Sequence, residues 1–330
     1  MSAGSHPHVD STSHSIWRVF VRGAILAVFL VRPVGAITIN GFAVDDTAVP
    51  VEHLVRAAPA KDSISSIDEP NWILASECDY LEEEDELLSV TIDGDTRAYP
   101  LRVLVWHEIV NDVFGERPIA ITYSALTGSG VAFDAGENAD GSPRKFGVSG
   151  VLYNSGLLMY DRASESLWSQ LKFMGISKDF VEEPLTPVAI RRLTWANWKK
   201  TFPDGRVLSS ETGFDNDYAS EWPYGNYANE KETIFPFDIN PDRNEFGTKE
   251  RMIGMAEGWA ARAWPLEKVK AKGQLFDALG ARPIQIIYQE DTNEVLITDI
   301  TNGEQVAAVS VYWFAWQAFY PDSSVWQPLN

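Results

Sequence analysis

The alternation of hydrophobic and polar positions predicts a chain built mostly from short strands. The apolar run from Leu87 to Ile92 predicts a strand, and Asp93-Gly94-Asp95 has the turn chemistry that pairs it in a hairpin with a strand at Ala98-Tyr99. Further strands are predicted at 119–123, 131–134, 145–148 and 157–160, separated by turn-rich segments. Residues 124–130 form a small-residue loop in this prediction, and residues 213–247 are irregular.

Three short helices interrupt the predicted strands. The segment 101–114 fits a helical stripe along its whole length, but we favour a short helix after Pro100 followed by a strand at about 107–114. A second helix is predicted at 194–202, where Trp195 and Trp198 stand three apart, and a third at 311–320.

An internal sequence repeat favours a short helix followed by a strand, rather than one long helix, in residues 101–114. Arg97-Ala98-Tyr99-Pro100-Leu101 recurs 165 residues later as Arg262-Ala263-Trp264-Pro265-Leu266, and the same offset continues without a gap to Tyr123 and Tyr288. His107-Glu108 become Lys272-Gly273 in the second copy, and glycine is unfavourable inside a helix. The sequence therefore predicts an α+β, β-rich fold with two repeat-related halves, whose units 86–123 and 251–288 superpose, joined by a long irregular insert. Only the first half keeps residues suited to a site.

The amino-terminal pattern predicts export. Arg18 and Arg22 precede a short apolar run, and Val34-Gly35-Ala36 offers the small residues of a cleavage site. We expect residues 1–36 to be a signal peptide and the mature protein to begin near Ile37. The mature protein would then be periplasmic or secreted. Mass spectrometry of the native product measures where it begins. The alternative is an uncleaved membrane anchor. The rest is predicted as an irregular segment at 37–67, one domain at 68–320 and a tail at 321–330.

Composition narrows the functional classes. The chain has 330 residues, of which 45% are hydrophobic, and a net charge of −20. Such an acidic surface repels nucleic acid, so a nucleic-acid partner is not expected. No later segment has the unbroken apolar length of a transmembrane helix. Cys78 is the only cysteine, which excludes an intrachain disulfide. No pattern in the sequence specifies the oligomeric state.

A series of short motifs resembles the DUF3179 family of exported, mostly bacterial proteins of unknown function. These motifs are Ala98-Tyr99-Pro100-Leu101, Trp106–Asp112, Thr122-Tyr123, Gly128-Ser129-Gly130, Phe146–Gly150, Met159–Arg162, Ser166–Gln170, Trp195 with Trp198, and Pro223-Tyr224. The resemblance implies no established activity. It does imply a Cys-Pro-Leu-Cys pattern after Tyr123, where this chain has Ser124-Ala125-Leu126-Thr127. If those cysteines form a thiolate metal or redox centre, the resemblance implies a degenerate metal site here.

His107 is the strongest single candidate for a site, because the predicted mature chain holds only His53 and His107. One hypothesis is a metal-binding role for His107 and Glu108, with nearby carboxylates adding oxygen ligands. A second is catalysis, with His107 as base or ligand supported by Asp112 or Asp161. The third is a histidine that is hydrogen-bonded in a packed interior. The zinc-protease pattern His-Glu-x-x-His fails at Asn111.

The predicted pocket lies where the first repeat unit meets the 128–130 loop and the 149–170 block. Its candidate binding residues are Tyr123, Ser124, Thr127, Ser129, Ser149 and Gln170. Ser124 and Thr127 are expected within a few ångströms of His107. These observations predict a binding domain for a small molecule or a metal ion, centred on His107. The alternative is an enzyme, either a hydrolase or an oxidoreductase, in which His107 acts with Asp112 or Asp161. The cofactor is unspecified, with a metal ion as the candidate.

Overall fold

The structure, a computed structural model, describes residues 37–219, 222–235, 237 and 239–328. The predicted signal at residues 1–36 lies outside the described residues. No helix in the described part of the chain is long and apolar enough to cross a membrane.

Short strands dominate the described chain, which confirms the β-rich prediction. The first part carries β1 (Thr38–Ile39), β2 (Phe42–Ala43), β3 (Leu54–Arg56) and β4 (Trp72–Leu74). A first unit follows, with β5 (Glu86–Ile92), β6 (Asp95–Pro100), α1 (Leu101–His107), β7 (Ile109–Phe114), β8 (Arg117–Ser124) and β9 (Ser129–Asp134). The middle block holds β10 (Phe146–Tyr153), β11 (Gly156–Asp161), β12 (Leu167–Ser169), β13 (Met174–Gly175) and β14 (Pro187–Val188). The first unit is completed by β15 (Arg191–Thr194), α2 (Trp195–Thr201) and β16 (Arg206–Leu208).

The carboxy-terminal part carries the remaining elements. They are β17 (Arg251–Glu257), β18 (Ala260–Pro265), α3 (Leu266–Lys272), β19 (Gln274–Leu279), β20 (Arg282–Gln289), β21 (Glu294–Asp299), β22 (Val309–Tyr312), α4 (Trp313–Phe319) and β23 (Ser324–Val325). Single 3₁₀ turns stand at Val51–His53, Ala75–Glu77, Lys178–Phe180 and Tyr227–Asn229.

Five sheets of three to five strands form a propeller-like ring, beside a ribbon of β1 and β2, within the described residues. Their strand orders are β13-β12-β11-β10-β3, β14-β9-β8-β7, β15-β5-β6-β16-β4, β22-β17-β18-β23 and β19-β20-β21. The largest core cluster includes the fully buried rings of Trp168, Trp313 and Trp316.

The two units share element order and boundaries. Every element from Glu86 to Asp134 has a counterpart 165 residues later, from Arg251 to Asp299. The closing elements β15, α2 and β16 correspond to β22, α4 and β23 at a shorter offset of 118 residues. The offset shortens because residues 300–308 join β21 directly to β22, whereas β10 to β14 lie between β9 and β15. In both units the closing strand pairs in parallel with the second hairpin strand.

The contacts between the units are reciprocal. β9 lies against β22, and β21 lies against β15. The backbone N–H of Tyr312 donates to the carbonyl oxygen of Thr127 at 2.9 Å. On the other side, Nε of Arg191 donates to Glu294 Oε2 at 2.7 Å. Each unit therefore completes its packing on the other one.

Some segments differ from the sequence prediction. Residues 37–67 contain the strand β3, which pairs with β10 nearly 100 positions away and is invisible to local patterns. The apolar segment at 311–320 begins in the strand β22 before it turns into α4, because its first residues pair with β17. The tail predicted from residue 321 supplies β23, so it belongs to the folded body. The predicted helix after Pro100 is present as α1, and the strand that follows begins at Ile109.

Candidate functional site

A pocket of about 250 Å³ lies at the junction of the two units. Both units supply its walls, and several lining residues are counterparts of one another. These pairs are Glu86 and Arg251, Leu88 and Ile253, Gly130 and Val295, Ile190 and Ala308, and Arg192 and Ser310. The pocket also reaches α3 through Leu266, Glu267 and Lys270. Gly130 keeps the wall thin, since a Cβ atom there would stand 2.6 Å from the Leu88 side chain.

Two arginines and one glutamate of the lining form a charged cluster. Arg192 donates two hydrogen bonds to Glu86, from Nε to Oε1 at 2.9 Å and from Nη2 to Oε2 at 2.7 Å. Burial raises the pKa of Glu86, and the charges of Arg192 and Arg251 outweigh it, so the pKa falls to about 2. Glu86 is therefore ionised at neutral pH, and its side chain is 44% exposed to solvent.

Arg251 is the less well-partnered member of this group. Its Nη2 stands 3.8 Å from Glu86 Oε2, and its Nη1 donates to Ser310 Oγ at 3.5 Å. The nearby charge of Arg192, together with burial, lowers the pKa of Arg251. An arginine has five N–H donors, so most of those on Arg251 lack an acceptor among the described residues.

His107 is buried, with 1% of its surface exposed, and both of its ring nitrogens are occupied. Nδ1 donates to the carbonyl oxygen of Ser65 at 2.7 Å, because a carbonyl can only accept. Nε2 accepts from the hydroxyl of Tyr218 at 2.6 Å, and the ring packs beside Phe214. Burial lowers the pKa of His107, so the ring is neutral at pH 7. These contacts tie two loops to the end of α1.

The two aspartates predicted to support His107 belong to other networks. Asp112 accepts hydrogen bonds from Arg97 Nη1 at 2.5 Å and from the Tyr99 hydroxyl at 2.6 Å. Asp161 accepts from the backbone N–H of Ala163 at 2.8 Å, which closes a tight turn. Among the described residues, no hydrogen bond or ion pair joins His107 to either aspartate.

Three of the predicted binding residues meet in one chain of hydrogen bonds. Thr127 and Ser129 share a hydrogen bond of 2.7 Å between their hydroxyls, and Ser129 donates to Gln170 Oε1 at 2.8 Å. The amide of Gln170 continues the chain to Thr122 at 2.9 Å. All four side chains are fully buried, so this chain satisfies polar groups inside the protein.

The other three predicted binding residues lie apart from that chain or at its edge. Ser149 hydrogen-bonds to the backbone around the bulge of β10. Ser124 pairs with Ser129 in the β8–β9 register, and Tyr123 lies within electrostatic reach of Arg192 and Arg251. The hydrogen bonds and ring contacts of His107 include neither Ser124 nor Thr127.

No group of three or more His, Cys, Asp or Glu side chains is placed to hold a metal ion within the described ranges. The family model of proteins described as "Protein of unknown function (DUF3179)" matches residues 61–323. This chain belongs to the DUF3179 family. No curated protein and no solved structure matches it.

The DUF3179 match spans the pocket residues that sequence reasoning missed. Glu86, Arg192 and Arg251 look like ordinary surface charges in an acidic chain, so no motif pointed to them. One signal was present. The 165-residue offset places Glu86 opposite Arg251, which is a reversal of charge between corresponding positions.

Glu108 is a second unusual carboxylate of this DUF3179 chain. It ends α1 in the left-handed region, with φ of 57°, where the corresponding Gly273 has φ of 74°. Glycine reaches this region without strain, whereas a glutamate does so at a cost. The side chain is buried and accepts a hydrogen bond of 3.5 Å from the Tyr224 hydroxyl. Burial raises the pKa of Glu108 to about 7, against a smaller lowering by Tyr224.

We expect Glu108 to make the stability of the protein depend on pH. Because its folded pKa lies above its unfolded value, its contribution is fully present below pH 4.5 and is lost as the pH rises through about 7. Glu108→Gln cannot ionise, so its unfolding free energy should change less than that of the wild type between these two pH values. Urea unfolding at pH 4.5, 6 and 8 measures the difference, with the exposed Glu116→Gln as control. Parallel pH profiles for Glu108→Gln and wild type would contradict the assignment.

Proposed function

We propose that this protein is a binding domain for a small molecule and that its site is the pocket between the two units. The observation that supports this proposal is a concave pocket of about 250 Å³ that is lined by both charged and apolar side chains. Ligand sites combine such apolar surface with a few polar groups that fix the orientation, at volumes from about 300 Å³ upward. The pocket lies just below the lower end of that range.

The proposal moves the site away from His107. Both nitrogens of the His107 ring already have partners, and the ring does not line the junction pocket. A metal role for His107 and Glu108 would require ligands that the described residues do not bring together. The enzyme hypothesis with Asp112 or Asp161 likewise has no hydrogen bond in its favour. A binding role for the pocket needs no rearrangement of these networks.

We further propose that the two units arose by duplication. The shared boundaries, the shared offset of 165 residues and the reciprocal packing support this origin. Export through the amino-terminal signal, into the periplasm or the medium, also remains our proposal. A mature product that begins near Ile37 would support it.

Filling the pocket should abolish ligand binding without unfolding the protein. Ala308 lines the pocket and is half-buried, so we expect the ring of Ala308→Phe to occupy part of the pocket. Small molecules that raise the melting temperature of the wild type should leave that of Ala308→Phe unchanged. The matched control is Ala139→Phe at an exposed position, which should respond like the wild type. Ligands that stabilise Ala308→Phe as well as the wild type would place the site elsewhere.

A further inference from the structure

Three positive and three negative side chains line the junction pocket, and Arg191, which lies outside the lining, pairs with one of the negative ones. Glu294 is held by Arg191 at 2.7 Å, and Lys270 pairs with Glu267 at 3.2 Å, so these four charges cancel in two pairs. What remains is Glu86 facing Arg192 and Arg251. Glu86 is bound at both of its oxygens by Arg192. One positive charge, on Arg251, is therefore left over at the pocket wall.

The charge of this pocket differs from that of the molecule as a whole. The chain carries a net charge of −20, whereas positive and negative side chains are equal in number in the pocket lining. Two guanidinium groups in one pocket repel each other, and an arginine fork suits a planar anionic group with two oxygens. The Arg251 side chain is 29% exposed, which leaves it reachable from the pocket.

The pocket also has an aliphatic lining. Its residues include Leu88, Ile190, Ile253, Val295, Ile297 and Val306. Burying an apolar body against this lining is favourable, because it removes apolar surface from water. A ligand that uses the whole pocket therefore combines a charged group with an apolar body.

We propose that the ligand is a small organic monocarboxylate, an inference that rests on the proposed binding function. Its carboxylate binds Arg251, and its apolar body lies against the aliphatic lining. The single negative charge of a monocarboxylate would neutralise the one positive charge, on Arg251, that lacks its own carboxylate partner. A phosphate monoester carries about −1.5 to −2 at pH 7, and its second charge would face Glu86. The carboxylate takes the N–H donors of Arg251 that the protein leaves unused, and Glu86 keeps Arg192 in place beside it.

The test uses the full chain and four probes with closely related bodies: hexanoate, hexan-1-ol, hexylamine and hexyl phosphate. Isothermal titration and thermal shift at pH 7 compare them on the wild type and on Arg251→Met, Arg251→Lys and Glu86→Gln. The control is Arg117→Met, which removes an equal charge at a 45% exposed arginine outside the pocket. Melting of each variant without probe confirms that it folds.

We expect hexanoate to bind the wild type and Arg117→Met alike, and to bind Arg251→Met about 10- to 100-fold more weakly, because hydrogen bonds to a charged group are lost. Arg251→Lys keeps the positive charge but loses the planar guanidinium. Its affinity for hexanoate should therefore lie between those of the wild type and Arg251→Met. Glu86→Gln removes the negative charge that neutralises Arg192, so two positive charges then lack a carboxylate partner. This variant should therefore bind hexyl phosphate more tightly, relative to hexanoate, than the wild type does.

The outcomes separate this inference from the proposed function. Hexan-1-ol binding as tightly as hexanoate, with loss of both in Ala308→Phe, would overturn the carboxylate and leave the pocket as a binding site. Tighter binding of hexyl phosphate than of hexanoate by the wild type would also overturn it. Hexanoate affinity unchanged in Arg251→Met would overturn the role of Arg251. Failure of all four probes to bind the wild type would overturn the carboxylate and count against the pocket itself.

Discussion

Replacing Asp112 with alanine will lower the free energy of unfolding by about 3 kcal/mol, because it removes one partner of a buried ion pair. The side chains of Arg97 and Asp112 are only 8% and 4% exposed. The same change leaves the hydroxyl of Tyr99 without an acceptor in the core, where Tyr99 is fully buried. Arg97 keeps Asp95 as a second partner, which holds the loss near the lower end for such pairs.

The second unit supplies a matched control for this experiment. Asp277 corresponds to Asp112 and accepts hydrogen bonds from Arg262 and Trp264, each at 2.8 Å. This pair is more exposed, at 25% for Arg262 and 16% for Asp277. Asp277→Ala should therefore cost less, about 1–2 kcal/mol. Urea unfolding with linear extrapolation measures both. An Asp112→Ala variant as stable as the wild type would refute the structural role and revive Asp112 as a catalytic candidate.

Exchanging one serine and one glycine in the second unit should give a strongly non-additive result. In the first unit, Trp198 Nε1 donates to Ser89 Oγ at 2.8 Å, and Gly205 stands beneath the ring. In the second unit the two residue types are exchanged, because Gly254 corresponds to Ser89 and Ser323 corresponds to Gly205. There Trp316 Nε1 donates to Ser323 Oγ at 2.9 Å, and Gly254 lies under the ring.

Each single change in the second unit should be costly. A Cβ atom at Gly254 would stand 2.3 Å from the Trp316 ring, so Gly254→Ser should lose about 3 kcal/mol through overpacking. Ser323→Gly leaves the buried Trp316 Nε1 unpaired and should lose about 1–3 kcal/mol.

The double variant Gly254→Ser/Ser323→Gly recreates the arrangement of the first unit. It should therefore lose less than the sum of the single variants, by about 1–2 kcal/mol of coupling. The mirrored exchange, Ser89→Gly/Gly205→Ser, is the control and should behave alike. Strictly additive losses in both units would contradict the proposed common origin, since the two tryptophans would then occupy unrelated environments.

Local signals in the sequence predicted the elements whose cause is local. The turn at Asp93-Gly94-Asp95, the helix start after Pro100 and the helix with Trp195 and Trp198 all rest on contacts within a few residues, and each is present. Pairings between distant segments could not be read this way. β3 joins β10, and β23 joins β18, through hydrogen bonds that depend on the whole fold.

The candidate site was harder to predict for a related reason. His107 drew attention because it is rare, yet the sequence cannot tell whether Ser65 and Tyr218 already occupy its nitrogens. Arg192 comes into correspondence with Ser310 only at the second offset, of 118 residues, which the middle block hides. The pocket exists only once both units are folded against each other, and no stretch of either unit carries its pattern alone.

The pairing of Glu86 with Arg251 has a consequence for how such a pocket evolves. On the symmetry axis of a homodimer, a residue faces its own copy, so a glutamate at this position would meet a glutamate and an arginine would meet an arginine. A contact between unlike charges at corresponding positions, 3.8 Å apart here, requires two units that differ in sequence, as the two units of this chain do. A symmetric pocket would accept an asymmetric molecule in two equivalent directions. Under the proposed duplication, divergence of this pair leaves a ligand of the proposed pocket only one direction of binding.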